Sequence, residues 1–300
     1  MKEIESGFAA TVGFFDGVHI GHIYLINQLK KIASERHLKS MVVTFPEHPR
    51  QILQSDYKPL LLSAPEDKIM RLEQSGVDVC FPLHFTAELS RMSAKCFMEQ
   101  VLRDRLRVRC LLVGHDHHFG HEMGTTLADY INIGNQIGIE VIGADSLIYK
   151  NLPVSSSRIR RELVSGNLED ANTMLGYNYT INGVVVHGQQ NGLKIGFPTA
   201  NLGSYCESMQ IPADGVYSAL VNIDGEKRPA MINIGFRPTF AVNNNRTIEA
   251  HILDFHQDIY FHELSIEFIK YIRPERKFDS FEQLAQQLET DKETVRRSAK

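Results

Sequence analysis

Residues 12–22 read VGFFDGVHIGH, and they decide the first half of the chain. Just before them, Phe8, Ala9, Ala10, Thr11 and Val12 form an apolar run that reads as a strand stopping at Gly13. Gly17 and Gly21 then interrupt a polar loop. Beyond it Leu25, Ile26, Leu29 and Ile32 recur at helical spacing, and residues 41–45 read as a second strand. The unit is βαβ, and its first turn carries His19 and His22 at the mouth of a helix. Backbone N–H groups at a helix start lack partners and the dipole is positive there, so the place suits phosphate. A helix starting near His19 puts both imidazoles on one face.

Two readings compete for these histidines. A helix can open in a histidine-bearing loop for no chemical reason. H-x-G-H is also the signature of adenylyl-transferring enzymes, whose imidazoles and helix-start amides hold ATP phosphates while the α-phosphorus is attacked. The signature here follows a strand, sits within Gly-x-Phe-Asp-Gly-x-His-x-Gly-His and opens a helix, which favours the second reading.

At 300 residues the chain is long enough for two domains. Hydrophobic residues make up 43% and charged residues 23%, an ordinary globular balance. A net charge of −4 gives no basic footprint for nucleic acid. Cys80, Cys96, Cys110 and Cys206 are scattered without a C-x-x-C pair, so reduced thiols are expected rather than disulfides or zinc. The sequence shows no signal-peptide pattern and no apolar run of about 18 residues, so a cytoplasmic protein without a membrane partner is expected.

Further along, His48 follows the second strand in Thr44-Phe45-Pro46-Glu47-His48-Pro49, where an open α/β sheet places its ligands; a rigid surface turn explains this stretch equally well. A helix opens at Pro65-Glu66-Asp67, a strand is expected over 77–81, and another helix starts near Ser93. The strand pattern over 109–113 ends in Gly114-His115-Asp116-His117-His118-Phe119-Gly120-His121. Gly120 argues against the helix that His117 and His121 would need to share a metal, so a nucleotide-facing loop containing Asp116 is favoured over zinc. A helix near 125–137 and a strand over 139–142 continue the alternation. Ser155, Ser156 and Ser157 can then cap a helix whose start carries Arg158 and Arg160; arginine there opposes the dipole unless an anion is bound.

After Gly176 the pattern changes. β-Branched and aromatic runs over 181–187, 216–223, 228–234, 246–253 and 264–271, with Asp224-Gly225 as a hairpin turn, suggest a small antiparallel barrel. A final helix is capped by Ser280 and Gln283, with Phe281, Leu284 and Leu288 expected to face inward. A glycine-bearing loop over 188–196 leads into Gly196-Phe197-Pro198-Thr199-Ala200-Asn201. Thr199 and Asn201 offer neutral oxygens suited to Mg²⁺ held partly through water and phosphate. Glu249 sits mid-strand on the face it shares with His251, where a carboxylate can also be merely solvated.

Taken together, the sequence resembles the bacterial bifunctional riboflavin kinase/FAD synthetase (FMN adenylyltransferase) family. The resemblance rests on Gly-x-Phe-Asp-Gly-Val-His-x-Gly-His, Ser-Ser-x-x-Ile-Arg, Gly-Phe-Pro-Thr-Ala-Asn and Asn233-Ile234-Gly235-x-Arg237-Pro238-Thr239-Phe240, in that order. It implies an α/β Rossmann-like nucleotidyltransferase domain over 1–177 that joins AMP to FMN. A small antiparallel β-barrel domain with a C-terminal helix, over 178–300, would phosphorylate riboflavin. It further implies ATP as co-substrate, Mg²⁺, and riboflavin, FMN and FAD as substrates and products, with small molecules as the only partners and no statement on oligomeric state. Carried over by position, His19, His22 and Arg160 would be catalytic, and Gly13, Phe15, Asp16, Gly21, Asp116, Ser156 and Ser157 would contact nucleotide. In the barrel, Glu249 would be the kinase base, Lys194, Thr199 and Asn201 would hold nucleotide with Mg²⁺ on the latter two, and Arg237 and Arg273 would lie near the flavin. The sequence departs from the family at Phe14, where many members have Asn, at Ser157 in place of Thr, and in the loop over 189–194, which lacks a common arginine. A chain with one working activity, or a flavin sensor, stays open at this point, though a sensor would need no base.

Overall fold

The computed structural model describes residues 7–53, 56, 60–114, 124–188, 196–205, 208–236 and 246–298. It divides into two compact units, Met1–Pro59 with Ala64–Ser155, and Leu60–Ser63 with Ser156–Lys300.

The first unit runs β1 (Phe8–Gly13), α1 (Ile20–Glu35), β2 (Lys39–Thr44), α2 (Pro49–Leu53), α3 (Pro65–Gln74), β3 (Val79–Pro82), α4 (Ala87–Ser90), α5 (Ala94–Cys96), β4 (Val108–Val113), α6 (Leu127–Ile137) and β5 (Glu140–Gly143). A short hairpin of β6 (Ile148–Tyr149) and β7 (Leu152–Pro153) closes it. The five longer strands form one parallel sheet in the order β3-β2-β1-β4-β5. Such a sheet is covered on both faces, which is why its central strands read as continuous apolar runs. Ala10, Val12, Met41 and Val43 pack on one face with Val101 and Leu102. Ala9, Val42 and Cys110 pack on the other with Ile26 and Leu29 of α1. The helix expected near Ser93 begins there, with Ser93 Oγ accepting from the Cys96 N–H, but it widens to π geometry over Phe97–Arg105. The strand expected over 77–81 starts two residues later, at Val79.

The second unit comprises α7 (Ser156–Val164), α8 (Leu168–Leu175), β8 (Thr180–Val186), β9 (Ala200–Gly203), β10 (Gly215–Ile223), β11 (Glu226–Phe236), β12 (Arg246–Ile252), β13 (Glu263–Arg273) and α9 (Phe281–Ser298). The strands close into a barrel in the order β10-β11-β12-β9-β8-β13. Ile181, Tyr217, Ala219, Ile232, Ala250 and Phe268 are buried in it. The turn between β10 and β11 is Asp224-Gly225, both with positive φ (50° and 89°), as the sequence pattern requires. β9 is an unanticipated strand: it starts at the Ala200-Asn201 end of the Phe-Pro-Thr-Ala-Asn motif, and its four residues are too few to show alternation. α7 and α8 pack with the barrel, where Ala213 N–H donates to Leu163 O (2.9 Å) and Asn172 Nδ2 to Phe268 O (2.8 Å).

On α9, Ser280 Oγ accepts from the Gln283 N–H (3.3 Å), as expected of the cap. Leu288 and Val295 pack against Phe197, Val216, Met231 and Leu253 outside the barrel. Phe281 does not face inward and is 71% exposed. It occupies the first turn of α9, while Leu288 and Val295, one and two heptads on, carry the packed face.

Candidate active sites

In the first unit the geometry begins at the carboxyl end of β1. Phe15 (φ 55°), Gly17 (φ 75°) and Val18 (φ 37°) all adopt left-handed backbone. For a β-branched valine this is strained, a cost that a structure tolerates where a turn has to be held in one shape. The turn delivers His19 to the N-cap of α1, where its Nδ1 accepts the His22 backbone N–H (3.2 Å). An accepting Nδ1 leaves the ring hydrogen on Nε2. The His19 and His22 rings stack, with centroids 3.6 Å apart and planes within 13°. Phe15 meets the His22 ring edge-on at 5.1 Å. A Cβ on Gly21 would lie 3.1 Å from His19 Nδ1 and 3.2 Å from Val154 O, so only glycine fits this turn without displacing the imidazole. Asp16 and His19 are buried and His22 is partly exposed.

The neighbouring strand end carries the turn after β2. His48 faces the same place as Phe14, their rings 4.7 Å apart. Ser156, Ser157 and Arg160 lie in α7, which begins at Ser156 and packs with the second unit. Asp116, with the rest of the histidine-rich loop over 115–123, lies outside the described residues, as do Lys194 and Arg237.

In the barrel, antiparallel pairing sets Glu249 of β12 directly opposite Asn201 of β9 and Asn233 of β11. Thr199 Oγ1 donates to Glu249 Oε2 at 3.4 Å. A Cβ on Gly188 would lie 2.0 Å from Asn201 Nδ2, so the loop's first glycine lets the backbone close over that amide. Ile248, Ala250 and Ile252 are buried, and Glu249 and His251 share the opposite face. His251 is itself buried, under Phe197 at 5.0 Å, and its Nδ1 donates to Pro198 O (2.8 Å). Burial lowers the pKa of its imidazole, so the ring is held neutral.

Arg273 of β13 pairs with a carboxylate of α9. Its Nε and Nη2 reach Oδ2 of Asp291, on α9, at 2.9 and 2.7 Å, and that carboxylate is almost fully buried.

Two family models match the chain: FAD synthetase over residues 1–158 and riboflavin kinase over 175–299. A bifunctional riboflavin kinase/FMN adenylyltransferase of Listeria monocytogenes is 37% identical over 95% of this chain and 90% of its own length. The chain belongs to the bifunctional riboflavin kinase/FMN adenylyltransferase family. The same-named protein of Bacillus subtilis is 36% identical over 98% of this chain and 93% of its own length. That of Escherichia coli strain K12 is 33% identical over 97% and 93%. A solved structure from Streptococcus pneumoniae, described as a macrolide-efflux protein, shares the fold with a TM-score of 0.86 and 33% identity, covering 97% of this chain and 94% of that one. Among the described residues no helix is long and apolar enough to cross a membrane.

Three features of the structure were not legible as such in the sequence. Lys68 stands at a core position of α3, one turn before the buried Leu72, and its only sequence signal is a cation where the helical period calls for an apolar residue. For His251 the alternation of β12 shows only a face shared with Glu249, and nothing in it points to Pro198 O. The His187 and Tyr260 rings, 4.0 Å apart beside the Gly188 loop, carry no local pattern at all.

Proposed function

We infer that the two units divide the family's two reactions: the barrel phosphorylates riboflavin to FMN, and the parallel-sheet unit adenylylates FMN to FAD. The observation that carries the kinase half is the meeting of Thr199 with Glu249 opposite Asn201, under the backbone at Gly188. The riboflavin 5′-hydroxyl is a poor nucleophile, so a carboxylate has to take its proton as the oxygen–γ-phosphorus bond forms and ADP departs. Glu249 is the base in this reading.

One carboxylate and two neutral oxygens make too few donors for an all-protein cage. They fit Mg²⁺, which keeps waters and nucleotide phosphate among its ligands. Thr199 and Asn201 would hold it, and its charge would offset that of the ATP phosphates. The functional domains are proposed as 1–177 and 178–300.

The adenylyl step makes a different demand. FMN phosphate is already ionised near neutral pH and needs no base. Its oxygen attacks the α-phosphorus and pyrophosphate leaves, so the site must supply charge stabilisation and alignment. The Nε2–H of His19, the imidazole of His22 and the α1 N-terminus supply hydrogen-bond donors and positive potential. Gly13, Phe15, Asp16 and Gly21 shape the turn that aims them. Ser156, Ser157, Arg160 and Asp116 are assigned to ATP phosphates and nucleotide, Lys194 to the kinase's ATP, and Arg237 and Arg273 to the flavin end. Dependence on ATP supports a cytoplasmic setting with small-molecule partners.

The test is direct. The purified chain is incubated with riboflavin, ATP and Mg²⁺, and riboflavin, FMN and FAD are separated over time. Sequential appearance of FMN and then FAD is expected. FMN without FAD, or conversion only of added FMN, would leave one activity, and no turnover would leave a flavin-binding protein.

A further inference from the structure

Lys68 is 2% exposed, and its ammonium lies at the carboxyl ends of two adjacent parallel strands. Nζ donates to Phe45 O at 2.6 Å and reaches Pro46 O at 3.5 Å, both in the turn that leaves β2. The same nitrogen stands 3.8 Å from the centre of the Phe14 ring, in the turn that leaves β1. Phe14 in turn meets His48 edge-on. One side chain from α3 thus grips both rims of the crevice in which an open α/β sheet binds ligands.

Stability alone does not account for a charge in this position. Burying an ammonium costs more than burying a methionine of similar length, and two carbonyls with one aromatic face repay only part of it. The titratable groups that face it are the carboxylates of Asp16, from the turn after β1, and Glu47, from the turn after β2, and the thiol of Cys80 in β3, which burial pushes up to about 11 and so keeps protonated. The two carboxylates favour the charged form, yet burial outweighs them and brings Lys68 down to about 8.

We propose that Lys68 is a positioning residue of the adenylyl-transfer site, whose positive charge clamps the Phe45–Pro46 turn to Phe14 and so fixes the turn that presents His19 and His22. Lys68 is too buried to touch substrate and acts through these groups. When it loses its proton, the cation–π contact disappears and the hold on the two carbonyls weakens. The rims then separate and the histidines lose alignment. The inference rests on assigning FAD formation to the first unit.

The experiment compares the full chain with K68M, following FMN→FAD and riboflavin→FMN separately between about pH 7 and 9.5. In the wild type, kcat/KM for FAD formation is expected to fall along an alkaline limb near the Lys68 value. K68M is expected to lose about tenfold in kcat at neutral pH and to lack the limb, while forming FMN at the wild-type rate. A K68M chain that makes FAD at the wild-type rate, or keeps the limb, overturns the proposal. So does loss of both activities together, which would make Lys68 a determinant of folding. A wild-type profile flat across the range also overturns it, whatever K68M does. A wild-type chain that forms no FAD at any pH would instead remove the assignment of the first unit.

Discussion

Thr199 Oγ1 donates to Glu249 Oε2, joining the segment before β9 to the middle of β12. The strand register places Asn201 opposite the same glutamate. The hydroxyl orients the carboxylate, which stays half-buried. Glu249→Ala should lower FMN formation by roughly 10²–10⁴ while added FMN still becomes FAD. Flavin chromatography with each substrate in turn checks this, and a kinase rate within a few-fold of wild type would remove Glu249 from its role.

The converse holds for the stacked histidines. His22→Ala should reduce FAD formation by roughly 10²–10³ and leave the kinase intact. Gly21→Ala should produce a milder loss through displacement of His19, whose Nδ1 its new methyl would press at 3.1 Å. An unimpaired FAD rate in both variants would contradict the first-unit assignment.

His251 links pH to the barrel. Its folded pKa is depressed below 6.5 by burial, so below about that pH the unfolded chain binds the proton first. Stability should therefore be full above the unfolded value and decline as the pH falls beneath it. His251→Asn keeps a donor for Pro198 O and should remove this histidine's share of the acid loss, while His251→Leu strands the carbonyl and should cost about 1–3 kcal/mol. Thermal unfolding of the three chains from neutral to acidic pH separates these outcomes.

The Arg273–Asp291 pair ties β13 to α9, with Gln287 Nε2 donating to the second carboxylate oxygen at 2.7 Å. Removing one partner leaves a charge with poor access to water. Asp291→Ala should destabilise the second unit by about 3–5 kcal/mol, seen as a lowered unfolding midpoint in urea. A change below about 1 kcal/mol would mean that the pair is as solvated as a surface bridge.

Much of the first unit was legible because local sequence encodes its elements. Apolar runs of strand length, a helical period after residue 22 and glycines at fixed offsets predict strand, turn and helix, and the structure has His19 as the cap of α1. The barrel strands were legible for the same reason, apart from β9. Phe281 shows where periodicity misleads, since the helical stripe continues on paper into a first turn whose phenylalanine the structure leaves exposed.

What the sequence by itself determined is direction: which side chains share a face, where the backbone must turn, and where a helix opens toward an anion. Tertiary structure decided which distant elements meet. Lys68 reaches a turn 23 residues away and Arg273 a helix 18 residues on, while His251 supports a carbonyl 53 residues back. Periodicity registers only the geometry of a single element. Burial, the tautomer an imidazole must hold and the pKa of a lysine follow from packing between elements, which no local spacing contains.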